Sequence, residues 1–159
     1  MIMIRKATQQ DAEIASRIIC ICYEGFGETD DFPGGVIAEL KKCRGTAEHV
    51  AELITNENFF VADEKNLLKG VVSIKDNEIT KLYIDPQYQG KGLGRRLFTH
   101  AEAFIKAKGY EDMFAVTATL AAVPFYEKMG MVVSQTRTID KGPCIGMTSI
   151  VLRKSFREK

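Results

Sequence analysis

The run Leu82-Tyr83-Ile84-Asp85-Pro86-Gln87-Tyr88-Gln89-Gly90-Lys91-Gly92-Leu93-Gly94-Arg95-Arg96 constrains this chain more than any other. A strand-type segment halts at Pro86, and glycines alternate at 90, 92 and 94. An amphipathic pattern then begins at once, with Leu93, Leu97, Phe98, Ala101, Phe104 and Ile105 on one helical face. Glycines let the backbone approach a ligand closely and point several N–H groups the same way. The helix N-terminus adds the positive end of its dipole, so the turn is expected to hold a phosphate or pyrophosphate, with Lys91, Arg95 and Arg96 around it. Two other phosphate loops are excluded by spacing. Gly94 is followed by Arg-Arg rather than Lys-Ser or Lys-Thr, and a G-x-G-x-x-G pattern started at Gly90 meets Arg95 at its third glycine.

The elements around the turn alternate in type. Ile2 to Arg5 reads as a short strand, and Thr8 with Asp11 three residues on is close to a capping box. Ile14, Ile18 and Cys22 then mark one face of a first helix. A second helical stretch spans Val36 to Ile54, interrupted near Gly45. Phe59–Ala62, Leu67–Ile74 and Ile79–Ile84 are rich in aromatic and β-branched residues and are joined by short polar turns, which predicts an antiparallel meander. The helix after the glycine turn stops at Gly109. Met113–Ala118, a short helix over Ala121–Met129, Met131–Thr136 and Met147–Leu152 complete the order. The expected fold is a single α/β domain over residues 1–159, a mixed and mostly antiparallel sheet with helices on both faces.

Composition narrows the class. A chain of 159 residues with 45% hydrophobic and 27% charged residues is long enough for a core and too apolar for disorder. Its formal net charge of +1 gives no general reason to expect nucleic acid or an anionic membrane as partner. The longest apolar run, Ile18–Tyr23, is far short of the roughly 20 residues that span a bilayer, and the expectation is that there is no signal peptide, since Arg5 and Lys6 follow the first apolar residues rather than precede them. Cys20, Cys22, Cys43 and Cys144 lack zinc spacing and suggest free thiols, so the expectation is a cytoplasmic protein without a metal.

Gln89-Gly90-Lys91-Gly92-Leu93-Gly94 resembles the Q/R-x-x-G-x-G/A motif of the GNAT superfamily of N-acetyltransferases. Ala122-Val123-Pro124-Phe125-Tyr126-Glu127-Lys128-Met129-Gly130-Met131 is similar to that family's second motif, A-x-x-F-Y-x-x-x-G-F. The element order agrees as well, over nearly the whole chain. The resemblance implies acetyl-coenzyme A as cosubstrate, its pyrophosphate on Gln89, Gly90, Lys91, Gly92, Leu93, Gly94 and Arg95. It further implies a V-shaped slot beside Leu82, Tyr83 and Ile84 for the pantetheine arm, with Thr119 and Phe125 near it. Thr119 stands where many members carry asparagine, and Met131 replaces the usual phenylalanine.

Transfer of an acetyl group to an amine needs a neutral amine, a polarised carbonyl and a stabilised thiolate. At neutral pH, deprotonating a primary amine costs roughly 4 to 5 kcal/mol, which a positioned base lowers. Glu78 is the candidate base. Alternation along its strand is expected to put it on the same face as Thr80, Leu82 and Ile84. The resemblance places a glutamate base at this spot, and it casts Tyr126 as proton donor to the leaving thiolate. Carbonyl polarisation falls to backbone N–H groups around Leu82 to Ile84. Glu24, Glu28, Asp30, Asp31 and Glu39, with no lysine or arginine between Ile18 and Leu40, form a stretch of one sign that suits a cationic small-molecule amine. Two alternatives stay open at this point: acetylation of a protein amine, and a non-catalytic acyl-coenzyme A sensor. Many members of the family pair as homodimers through their last strands. The apolar run Ile145–Leu152 suits either that interface or a closed core.

Overall fold

The structure, a computed structural model, describes residues 1–29 and 32–157, without the side chains of 27–29. One sheet is built from β1 (Met3–Lys6), β2 (Asn58–Glu64), β3 (Leu67–Lys75), β4 (Glu78–Ile84), β5 (Asp112–Thr117), β6 (Val132–Thr138) and β7 (Thr148–Ser155). Their spatial order is β1-β2-β3-β4-β5-β7-β6. All neighbours are antiparallel except β4 and β5, which the helix after the glycine turn joins as a parallel crossover. Helices α1 (Ala12–Thr29), α2 (Val36–Arg44) and α3 (Ala47–Asn56) cover one face, and α4 (Leu93–Ala107) and α5 (Val123–Lys128) the other. The mixed α/β layering expected from the sequence is therefore the one observed.

Local chemistry accounts for the elements. Lys65 and Asn66 have φ values of 52° and 68°, the paired left-handed residues of a tight hairpin between β2 and β3. Thr46 caps α3 by accepting from the His49 N–H at 3.1 Å. In α4 the residues Leu93, Leu97, Phe98, Ala101 and Ile105 are buried at helical spacing. The first helix turns slightly from the expected face: Ile14 is 39% exposed, and Ala15, Ile18, Ile19, Cys22 and Tyr23 form the buried stripe. Of the run Ile145–Leu152, Ile150, Val151 and Leu152 lie buried between β5 and β6, whereas Ile145 is 64% exposed.

One irregularity matters for the site. The pairing of β3 with β4 shifts between Ser73 and Ile74, so that Ser73 faces Lys81 while Ile74 faces Ile79. Thr80 is the extra residue of this bulge, and alternation restarts beyond it. Ile79, Leu82 and Ile84 accordingly pack toward α4, whereas Tyr83 packs toward α1. The expected common face for Glu78, Thr80, Leu82 and Ile84 does not exist, because a period-2 pattern cannot survive an inserted residue.

Candidate active site

The site begins where two strands part. β4 and β5 pair only at Glu78–Phe114 and Ile79–Ala115, and diverge from there. On its other edge β4 stays bonded to β3, where the Asp85 N–H donates to the Lys69 carbonyl at 2.9 Å. Alternation then turns the amides of Leu82 and Ile84 away from β3, into the gap toward β5. The Ile84 carbonyl on that side accepts from Gln89 Nε2 at 3.0 Å and from the Cys22 thiol at 3.2 Å. Gln89 thereby ties the glycine turn to the end of the strand.

The turn has the geometry its glycines suggest. Gly90 and Gly92 adopt φ values of 78° and 82°, with open space where a Cβ would stand. No side chain caps α4, and its first turn contains no acidic residue. The first intrahelical bond runs from the Arg96 N–H to the Gly92 carbonyl, which leaves the amides of Leu93, Gly94 and Arg95 free of intrahelical acceptors. These donors, with the exposed Lys91 and Arg95 beside them, fit a pyrophosphate. Arg96 is committed elsewhere, donating to the Ile2 carbonyl at 3.0 Å. A Cβ on Gly94 would lie 3.2 Å from the Phe125 ring, so this glycine lets α5 close against the turn.

Behind the gap, Phe125 and Tyr126 stack edge-on at 5.3 Å, and both contact Phe98 of α4. Burial pushes the Tyr126 phenol well above its ordinary pKa, so it stays protonated and keeps an O–H to donate. Its helix is held at the end by Lys154, whose Nζ donates to the Met129 carbonyl at 2.8 Å and pairs with Glu102 at 2.6 Å. Thr119 is buried, and its N–H donates to Thr117 Oγ1 at 2.9 Å.

Glu78 stands apart from this group, at the closed end of the gap and on the α1–α3 face. Burial first, then the neighbouring Glu57 carboxylate, raises its pKa above the ordinary value of 4.5. Glu57 accepts from the Thr80 hydroxyl at 2.6 Å and the Ser73 hydroxyl at 2.8 Å. On the same face Lys81 reaches to 3.5 Å from the Tyr23 hydroxyl, and Tyr23 and Tyr83 meet edge to face at 5.7 Å. Burial lowers the Lys81 pKa to about 8, with Arg44 adding repulsion. His49 on α3 is lowered by burial and then by Lys81.

The structure thus unites the glycine turn, Leu82, Ile84, Phe125 and Tyr126 around one gap, and sets Glu78 across the sheet at its apex. Tyr23, Arg44, Glu57 and Lys81 escape the sequence reading. Their one signal is a lysine directly before the apolar end of β4, and its face depends on the bulge. In the acidic stretch, Glu24 is neutralised by Lys41 at 2.6 Å, while Asp30, Asp31 and the Glu28 side chain lie outside the described residues.

A family model described as an acetyltransferase (GNAT) domain matches residues 28–148. The chain belongs to the GNAT family of acetyltransferases. An uncharacterized N-acetyltransferase of Chlorobaculum tepidum is 29% identical over 132 residues, which cover 80% of this chain and 73% of that protein. In fold the GNAT chain is similar to a GCN5-related N-acetyltransferase of Rhodopseudomonas palustris, with a TM-score of 0.86 at 21% identity over 96% of this chain and 94% of the other. It is also similar to the PaiA N-acetyltransferase of Thermoplasma acidophilum, solved with coenzyme A. That match has a TM-score of 0.73 at 22% identity over 98% and 99% of the two chains. By that family model this GNAT protein carries an acetyltransferase domain. Among the described residues, no helix is long and apolar enough to cross a membrane.

Proposed function

We propose that this protein transfers the acetyl group of acetyl-coenzyme A to the primary amine of a small cationic molecule, the amine attacking the thioester directly. The observation that carries the reading is the gap between β4 and β5, with an uncapped glycine turn at one end and the Phe125–Tyr126 pair of α5 packed against that turn. The coenzyme supplies the activated acetyl thioester. The amides of Leu93, Gly94 and Arg95, with Lys91, hold its pyrophosphate. The Leu82 and Ile84 amides line the gap and offer donors to the thioester carbonyl as negative charge develops there. Phe125 and Thr119 flank the arm.

Tyr126 donates a hydrogen bond to the departing sulfur. A phenol that burial keeps protonated serves as donor at every working pH. Glu78 takes the amine proton, directly or along waters, from the apex of the gap. Its raised pKa makes it a better base than an ordinary surface glutamate. Glu57, pinned by two hydroxyls, keeps negative charge beside it and favours an incoming ammonium.

The test is amine-dependent release of coenzyme A thiol, followed by mass spectrometry of the amine. Acetylated small amines are expected. Acetylation confined to proteins or peptides would replace the small-molecule acceptor. Coenzyme binding without turnover on any amine would leave only a sensor.

A further inference from the structure

Tyr126 rides on a helix too short to hold itself. α5 spans six residues, Val123–Lys128, well under the length at which a helix is stable alone. The chain that follows closes its end. Gly130 takes a φ of 93°, and the Tyr126 carbonyl accepts from the Met129 and Met131 N–H groups at 3.1 and 3.0 Å. The next carbonyl in need of a donor, that of Met129, accepts from Lys154 Nζ at 2.8 Å.

Lys154 enters from an apolar face. Alternation along β7 sets it with Ile150 and Leu152, which belong to the core packed on α4. Its ammonium lies 5.7 Å from the centre of the Phe98 ring. Glycine at position 130 makes room for it, since a Cβ there would stand 3.0 Å from Lys154 Cε and 3.2 Å from Nζ. On its other side the ammonium lies 2.6 Å from Glu102 Oε2 of α4. That oxygen is buried and, among the described residues, accepts from no amide or hydroxyl, so Lys154 is the group that neutralises it. Because α4 starts at the glycine turn, one ammonium joins the helix of the turn to the helix of the phenol.

Stability alone does not call for this pair, because apolar side chains of similar volume commonly replace a buried ion pair without loss. Resting on the acetyl-transfer reading above, in which Tyr126 is the proton donor, we infer that Lys154, oriented by Glu102, is a positioning residue. It fixes the end of α5, three residues beyond Tyr126, and so holds the phenol in register with α4 and the coenzyme turn. It acts through Tyr126 and takes no proton in the transfer itself.

The test compares Lys154→Met in two backgrounds, native and Tyr126→Phe, by steady-state thiol release. In the native background kcat is expected to fall about tenfold, as a displaced reacting group costs. With the phenol already removed, the same change is expected to cost less than about twofold. A role in stability alone would lower kcat by the same factor in both backgrounds, and that result overturns the inference. Lys154→Met by itself strands the Glu102 charge, so Lys154→Met with Glu102→Gln separates folding from placement. This double variant is expected to regain its urea midpoint and to keep the tenfold loss. Full kcat in it overturns the inference, because the bond to the Met129 carbonyl is still missing. If no amine turns over, or if Tyr126→Phe keeps full activity, the acetyl-transfer reading is what fails. The placement of the ring is then judged without turnover, by NMR of 13C-tyrosine-labelled protein, with Tyr126 assigned by its loss in Tyr126→Phe. Ring signals that shift or broaden in the double variant support the role of Lys154, and unchanged signals overturn it.

Discussion

At the scale of single residues, the proposed chemistry divides between two side chains whose environments differ. Tyr126 lies among aromatic rings, and desolvation alone keeps its proton in place. Tyr126→Phe is expected to lower kcat by roughly a hundredfold, with KM for acetyl-coenzyme A nearly unchanged, in steady-state assays. Glu78, as the proposed base, works only when ionised. Burial and Glu57 both disfavour its charge, so activity should fall as pH drops through a value above the ordinary 4.5. A pH profile of kcat/KM checks this in two ways. Glu78→Gln should abolish that acid limb, and Glu57→Gln should move it toward the ordinary carboxylate value by removing the like charge. Tyr126 was legible because it sits in a run of residues with its own motif. Lys81 and Glu57 were not, since their meeting depends on one inserted residue in β4 that no local pattern marks.

Among the elements, β4 and α4 do most to shape the gap, and a glycine controls how they meet. A Cβ on Gly70 would lie 2.8 Å from Ile84 Cδ1, 3.0 Å from Leu97 Cδ1 and 3.1 Å from the Tyr83 carbonyl. Side-chain ends can move, but the carbonyl belongs to the strand that lines the gap. Gly70→Ala is therefore expected to destabilise the protein by about 1–3 kcal/mol in urea unfolding and to weaken coenzyme binding in calorimetry. Gly92→Ala differs in kind. Its Cβ meets open space, and the penalty is the left-handed φ of 82°, about 1–2 kcal/mol. The glycine turn and the amphipathic α4 were plain in the sequence, because their signals are local. The splay of β4 from β5 was not a signal of any residue. It follows from how far two strands distant in sequence remain paired, and resemblance alone anticipated it.

Over the whole molecule, the sheet separates two packed faces, and a part-buried charge cluster ties its edge to the turn just before α1. Arg5 donates to both oxygens of Asp11, at 2.9 and 3.0 Å, and to Asp63 at 3.0 Å. Asp11 is 8% exposed, and the Arg5 guanidinium holds its carboxyl below the ordinary value of 3.8. A depressed pKa stabilises the fold above the unfolded value and ceases to do so as pH falls through the folded one. Arg5→Met would leave two carboxylates uncompensated, and should cost about 2–4 kcal/mol in urea unfolding at neutral pH. That penalty should shrink in acid as Asp11 protonates. The layered fold was legible from alternating strand and helix signals. The placement of β7 between β5 and β6, which takes Ile150, Val151 and Leu152 into the core, required the tertiary arrangement.

The central claim is that an amine attacks the thioester at this gap. It is tested most directly by following thiol release from acetyl-coenzyme A with and without a panel of amines, in the native protein and in Tyr126→Phe. The account predicts release that requires an amine, an N-acetylated product in equal amount, and a loss of roughly a hundredfold in the variant. Tight coenzyme binding with no amine-dependent release, or full activity in Tyr126→Phe, would contradict it.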